Sequence, residues 1–399
     1  MTPERAVIVG ASHAGAQLAA NLRREGWAGE VVLIGDEGGL PYHRPPLSKA
    51  YLAGKNGLDD LLIRGADFYE KQNIRLLNAT VEAIHRSAKH VSLSTGDTLT
   101  YTKLALCTGA RARRLPTPGV DLPGIHYLRT AADVELIRAA ATPGRRVVIV
   151  GGGYIGLETA ASLCSLGMNV TVLEATERVL ERVTAPEVSA FYTRIHRGEG
   201  VEIRTHALVE AFSGNGGVQE VVLADGESIP ADLVIVGVGV VPNTELASAA
   251  GLSVDNGIVI DDQARTSDPD IVAAGDCTSH TMARYGSRIR LESVSSAGEQ
   301  AKIAAATICG KHSAIAALPW FWSDQYDLKL QIAGLNAGYD EVLLSGDPSR
   351  DRDFSCFYFR EGELIAADCV NRPRDFMSSK RAISQQLRVD RSDLLVGSI

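Results

Sequence analysis

Apolar and polar positions along the chain fall into two copies of one pattern about 140 residues apart. In the first, the apolar run at 6–9 after Arg5 meets the turn GASHAG (10–15), then the helix-compatible LAANLRREG (18–26), then EVVLIGD (30–36). The second repeats that order with RRVVIVGGGYIG (145–156), LETAASLCSLG (157–167) and MNVTVLEA (168–175). Both sets of strands are continuously apolar instead of alternating, which predicts burial on both faces, as in a parallel sheet covered by helices. Further buried strands are expected within 101–110, 231–243 and 271–277, and a helix over 292–308. The turn-rich stretch 113–124 and a matching one after 231–243 read as crossovers, so the first nucleotide domain is discontinuous, with the second inserted in it. From about residue 318 the runs become shorter, alternating and aromatic (WFWSDQYDLKLQIAG, FSCFYFR, ELIAADCV), predicting a small antiparallel sheet closed by a helix.

Composition narrows the function classes. With 399 residues, 45% apolar and 22% charged, the chain is ordinary globular material of two or three domains, neither disordered nor fibrous. Its longest apolar run, 233–241, ends at Pro242, far short of the roughly 18–20 residues a bilayer requires. The start, MTPERAVIVG, shows no basic segment or small-residue cleavage site, so a cytoplasmic location is expected. A net charge of −8 argues against a nucleic-acid binder, which needs a basic face. The six cysteines, at 107, 164, 277, 309, 356 and 369, form no CxxC pair. They read as reduced, mostly buried side chains, which removes a dithiol as an electron relay, and no metal site is expected.

The second glycine turn carries the clearer chemistry. Gly151, Gly153 and Gly156, with Tyr154 and Ile155 between them, satisfy GxGxxG after a strand and at a helix start. One glycine permits the turn, one admits a pyrophosphate to the backbone, and one lets helix and sheet approach. Glu174 ends the next strand, placed to accept from an adenosine ribose, and a carboxylate there repels a 2′-phosphate, so NADH is expected over NADPH. In the first turn Gly10 and Gly15 flank Ser12, His13 and Ala14, so the strict fingerprint fails at its middle position. Asp36 still supplies an acid after the next strand. A generic strand-to-helix turn would explain the first motif alone. Two such units, each followed by an acid, point to two dinucleotides, one resident and one diffusible.

PYHRPPLSKAYLAG (41–54), CTGARARRLP (107–116), YLRT (127–130), GGGYIGLE (151–158), ERVTAPEVSAFY (181–192), NTELASAAGLSVDNGIVID (243–261), AAGDC, LESV, PWFWSDQY (319–326) and VNRP (370–373) resemble the FAD-dependent ferredoxin reductases of bacterial oxygenase systems. The likeness spans nearly the whole chain. It implies an α/β architecture with two Rossmann-like (glutathione-reductase-type) dinucleotide-binding domains plus a C-terminal α+β domain. The boundaries expected are 1–112 and 243–317 for FAD, 113–242 for NADH, and 318–399 for the C-terminal domain. It also implies FAD contacts from Gly10, Ser12, Gly15, Asp36, Lys49, Val81, Arg129, Asp276 and Val294, with Arg44, Thr108 and Gly109 in the same neighbourhood. Glu158 falls where the helix start would meet the nicotinamide, and the resemblance implies that Lys49 and Glu158 pair at the flavin. A surface ion pair is the alternative.

The activity so implied is hydride transfer from NADH to FAD, with electrons passing singly to a [2Fe-2S] ferredoxin that feeds a haem-thiolate monooxygenase. Alternatives are a rubredoxin or Rieske-type dioxygenase ferredoxin as acceptor, or a non-catalytic flavin and NADH sensor. PPLSK places Lys49 where thiol-dependent relatives would need a cysteine, which disfavours disulfide or peroxide chemistry. An acidic ferredoxin docking transiently would be steered by Arg372, Arg374, Lys380, Arg381, Arg388 and Arg391, set against only Asp375 and Asp390, and by Arg284, Arg288 and Arg290. Trp320 and Trp322 are candidates to cover the flavin edge, or ordinary core. The chain is expected to be a monomer or weak dimer.

Overall fold

The structure, a computed structural model, describes residues 4–396; the outer ends of two expected domains, 1–3 and 397–399, lie outside them. Two compact units form. One comprises 4–43, 59–111 and 241–319, the other 44–58, 112–240 and 320–396.

The first unit is built on a five-stranded sheet, in the order Ile271–Ala273, Lys103–Leu106, Arg5–Val9, Glu30–Gly35, Ile74–Asn78. All its pairings are parallel. Val7, Ile8, Val31, Val32 and Leu104 are sealed from solvent, as the unbroken apolar runs require. Each fully buried aliphatic side chain contributes roughly 1.5–3 kcal/mol. Helix His13–Glu25 lies against helix Val294–Ile308, and Gly26 closes the former in a left-handed cap. The second of these helices begins two residues later than the sequence pattern suggested, because Ser293 takes the cap position and accepts from Ser296 N–H (3.2 Å).

The second unit repeats the arrangement with a parallel sheet ordered Glu202–Arg204, Asn169–Leu173, Arg146–Val150, Leu233–Val236, Ile125–Tyr127. Helix Tyr154–Ser165 follows the glycine turn. The short 44–58 segment, with its 3-10 turn Pro45–Ser48, groups with this unit although both its chain neighbours belong to the other. The unit also holds the C-terminal sheet, fully antiparallel, ordered Trp320–Gln325, Leu328–Gly334, Glu363–Val370, Phe354–Arg360, Glu341–Ser345. Helix Pro373–Gln385 lies on this sheet, and Phe354 meets Phe191 of helix Pro186–Gly198 at 4.8 Å. The α/β class with two nucleotide-type sheets and a C-terminal α+β layer is the one expected.

Inside the C-terminal sheet Asp368 is 1% exposed and accepts from Tyr358 O–H (2.5 Å), whose oxygen accepts from Ala185 N–H (3.0 Å). Burial pushes the Asp368 carboxyl up to about 7. The folded chain therefore keeps a proton that the unfolded chain releases near pH 4, and stability present at low pH is lost as pH rises through about 7. Asp368→Asn keeps an acceptor for Tyr358 and removes the charge. Its thermal midpoint should fall a few degrees less than that of the parent between about pH 5 and about pH 8, as measured by circular dichroism; parallel curves would refute the assignment.

Candidate functional site

Within the first unit, the turn after strand Arg5–Val9 brings backbone against backbone. Gly10 has φ +110°, and a Cβ there would stand 2.0 Å from the Cys107 carbonyl oxygen; one on Gly15 would stand 1.9 Å from the Gly10 oxygen. Only glycine fits either position. Ser12 differs: it caps helix His13–Glu25 with φ −128° and ψ −153°, extended backbone that any residue adopts. Its side chain does not cap the helix, and the first helical turn holds no acid, so the positive helix pole is open to an anion. Asp276 follows strand Ile271–Ala273 in a turn beside this one, since a Cβ on the preceding Gly275 would lie 3.0 Å from Ala14 Cβ and 3.8 Å from Ala297 Cβ. Gly275 N–H is held by Gln300 Oε1 at 2.7 Å, and Val294 opens the helix bearing Ala297. Asp36 is exposed at its strand end, and Val81 is buried at the start of its own. Thr108 and Gly109 are clamped by Asn243: the Thr108 hydroxyl donates to its carbonyl (2.6 Å), while its N–H donates to Gly109 O (2.9 Å).

In the second unit the same turn is built with full glycine content. Gly151 has φ +111°, and a Cβ on Gly156 would stand 2.1 Å from the Gly151 oxygen, whereas one on Gly153 meets nothing within 4 Å. Gly153 sits at the cap with φ −78° and ψ −179°, so no backbone demand requires glycine there; the open space is what its small size preserves. Of the three fingerprint positions, the two turns thus differ only at the one where folding tolerates a difference. Glu174 is anchored at the end of its strand by Gly152 N–H (2.8 Å), Thr176 N–H (2.9 Å) and the Thr176 hydroxyl (3.0 Å). Each carboxylate oxygen keeps acceptor capacity for a further donor. Tyr154 opens the helix, its ring 5.0 Å from that of Phe321, and Ile155 is exposed.

One turn further along that helix, Glu158 is 4% exposed and surrounded by donors. Lys49 Nζ (2.6 Å) and Ser48 Oγ (2.5 Å) donate to Oε2, and Ser323 Oγ (2.7 Å) donates to Oε1. Ser162 Oγ donates to the Ser48 carbonyl (2.7 Å) and fixes the 44–58 segment on the same helix. With 17% and 4% side-chain exposure, the Lys49–Glu158 pair is no surface ion pair. A carboxylate this buried is held only because charge and hydrogen bonds replace its water. Nearby, Arg44 donates to the Arg129 carbonyl (2.8 Å), and Arg129 N–H to Asp133 Oδ2 (3.0 Å).

The sequence-predicted residues therefore divide by unit. Gly10, Ser12, His13, Ala14, Gly15, Asp36, Val81, Thr108, Gly109, Asp276 and Val294 stand in the first; Arg44, Lys49, Arg129, Gly151, Gly153, Tyr154, Ile155, Gly156, Glu158 and Glu174 stand in the second. Ser48 and Ser323 were missed. Inward-facing polar positions inside PPLSK and the aromatic WFWSDQ were their only signal.

All six cysteines are free, and burial pushes the Cys107 thiol far above its ordinary range, so neither a disulfide nor a poised thiolate is present. Both basic stretches are less positive than their local counts, because acids outside them, near or far in sequence, pair with them. Arg372 meets Asp353 (2.7 Å), Arg391 meets Glu341 (2.5 Å), Arg288 meets Asp255 (3.3 Å), and Arg290 meets Glu292. Lys380 lies 4.7 Å from the centre of the Trp320 ring, which sits 5.5 Å from that of Trp322. Arg374, Arg381 and Arg388 are exposed. Among the described residues, no helix is long and apolar enough to cross a membrane, and no cluster could hold a metal ion.

Residues 4–301 match the family profile described as pyridine nucleotide-disulphide oxidoreductase, and residues 320–396 match the one described as reductase C-terminal. The chain is 48% identical over 394 residues to putidaredoxin reductase CamA of Pseudomonas putida, covering 97% of this chain and 93% of that one. It is 45% identical over 389 residues to a ferredoxin–NAD(P)(+) reductase of Sphingomonas, covering 96% and 94%. Among solved structures, the covalent putidaredoxin reductase–putidaredoxin complex aligns with a TM-score of 0.95 at 47% identity, covering 98% of this chain and 95% of that one.

The contrast between positions 153 and 156 is testable. Gly153→Ser should fold with an unchanged melting temperature yet bind NADH several-fold more weakly, whereas Gly156→Ala should lose stability as well, because its Cβ would overlap the Gly151 carbonyl. Calorimetry and NADH titration decide it, and equal destabilisation by both changes would contradict the geometry.

Proposed function

The chain belongs to the pyridine nucleotide-disulphide oxidoreductase family, and on that premise we propose that it is an FAD-dependent NADH:ferredoxin reductase serving a haem-thiolate monooxygenase through a [2Fe-2S] ferredoxin. The observation that carries this reading is the pair of uncapped, acid-free helix starts behind two glycine turns, combined with a buried Lys49–Glu158 pair where no thiol stands.

The first unit suits a resident FAD. Its turn leaves backbone N–H groups and a helix pole for a pyrophosphate, Asp36 is available to a ribose, and Asp276 and Val294 stand beside the turn for the rest of the cofactor. When bound, FAD supplies the step from a two-electron donor to a one-electron acceptor. Each hydride carries two electrons, so one NADH becomes one NAD+ and two ferredoxins are reduced. The second unit suits the diffusible NADH: Gly153 leaves room for its pyrophosphate and Glu174 accepts from its ribose. Lys49 Nζ donates to Glu158 Oε2 and to the Pro45 carbonyl (3.1 Å), which leaves a further N–H for the reacting centre. Arg44 and Arg129 complete the cationic lining of that segment. The exposed Arg374, Arg381 and Arg388 supply the steering charge for an acidic ferredoxin. A cytosolic location fits a protein with six reduced cysteines and a cytosolic reductant.

The purified protein should be yellow, bleach on mixing with NADH, and sustain cytochrome c reduction only when a [2Fe-2S] ferredoxin is added; a single bleaching event without turnover would leave a sensor instead. Glu174→Gln should lower kcat/KM for NADH and shrink its preference over NADPH by about tenfold, corresponding to ~1.4 kcal/mol. An unchanged ratio would remove Glu174 from selectivity. Replacing Arg374 and Arg381 together by Gln should slow ferredoxin reduction at low salt and flatten its salt dependence. Identical rates at every ionic strength would place docking elsewhere.

A further inference from the structure

Glu158 Oε1 is the inner end of a longer hydrogen-bonded chain within the second unit. Ser323 Oγ lies 2.7 Å from it, Gln325 Nε2 lies 3.1 Å from Ser323 Oγ, His196 Nε2 lies 2.8 Å from Gln325 Oε1, and the Tyr326 hydroxyl lies 3.1 Å from His196 Nδ1. Ser323 and Gln325 alternate on strand Trp320–Gln325 and so share a face, while His196 comes from the last turn of helix Pro186–Gly198. Exposure is 0% for Ser323, 1% for Gln325 and 0% for His196, so the members satisfy one another without help from bulk water.

The charge at one end fixes every donor along the line. A carboxylate paired with Lys49 accepts only, so the Ser323 hydroxyl must donate to it. The Ser323 oxygen then accepts from the Gln325 amide nitrogen, which turns Gln325 Oε1 toward His196. That oxygen requires a proton on His196 Nε2, leaving Nδ1 to accept from Tyr326 O–H. All four donors therefore point toward Glu158. Such a line cannot deliver a proton without rotating every member, and the amide interrupts it. What it does is orient and polarise. Burial holds the His196 imidazole down to about 4, so the ring stays neutral and the direction of the chain is kept at ordinary pH.

We propose that Ser323, Gln325 and His196 are positioning residues for hydride transfer, by which the C-terminal sheet holds the Glu158 carboxylate in a single orientation opposite Lys49. This rests on the assignment of Lys49 and Glu158 to the reaction made above.

The test uses the FAD-loaded protein mixed with saturating NADH, following flavin bleaching. Ser323→Ala should slow bleaching about tenfold while NADH affinity stays within about twofold, and should add nothing in a Glu158→Gln background, because it acts only through that carboxylate. A full-speed Ser323→Ala variant, or equal slowing in both backgrounds, overturns the positioning role. If Glu158→Gln itself bleaches at the parent rate, the assignment of the Lys49–Glu158 pair fails first and takes the positioning role with it. His196→Gln, which keeps a donor in place of Nε2–H, should restore the rate that His196→Phe loses; equal rates in those two variants count against the chain. Independently of turnover, 15N-histidine NMR of the apoprotein at about pH 7 should show His196, assigned by its absence in His196→Gln, as the neutral Nε2–H tautomer. A proton on Nδ1 would reverse the chain and refute it.

Discussion

A single buried carboxylate organises the second unit. Glu158 sits on the helix behind the glycine turn, and removing it from water is tolerable only because Ser48, Lys49 and Ser323 converge on it from two other stretches of chain. Leaving such a group without its cation costs about 3–5 kcal/mol, so the 44–58 segment and the strand Trp320–Gln325 are constrained to this helix by electrostatics as well as packing. The exposed pairs elsewhere, such as Lys71–Asp67 or Arg350–Asp347, are screened by solvent and constrain nothing comparable.

The two glycine turns show which parts of a fingerprint are structural and which serve a ligand. Gly10 and Gly15, like Gly151 and Gly156, are required by the chain's contact with itself, and any side chain there collides with a carbonyl. The middle position is under no such demand. Ser12 is compatible with the fold, and a Cβ on Gly153 would meet open space.

What could be read from the amino acids was what depends on near neighbours. Continuous apolar strands, glycine turns and the acids at Asp36 and Glu174 are local patterns, and the parallel sheets follow from them. Pairing of Lys49 with Glu158 spans 109 residues and was legible only through resemblance to relatives. The bonds of Ser323 to Glu158 and of His196 to Gln325 were not legible, since they depend on a sheet and two helices meeting, and a serine or histidine among aromatics reads as ordinary core. The basic stretch near the C-terminus was misjudged for the same reason: Asp353 and Glu341, which neutralise Arg372 and Arg391, lie 19 and 50 residues away.

The strand order of the first sheet has a consequence for biosynthesis. Its edge strand, Ile271–Ala273, pairs with Lys103–Leu106, so the whole inserted stretch must leave the ribosome before that sheet can be completed. Until then Leu104, Ala105 and Leu106 present an unpaired apolar edge to solvent, the kind of surface on which nascent chains associate wrongly. Truncations ending before residue 271 therefore leave that edge permanently uncovered.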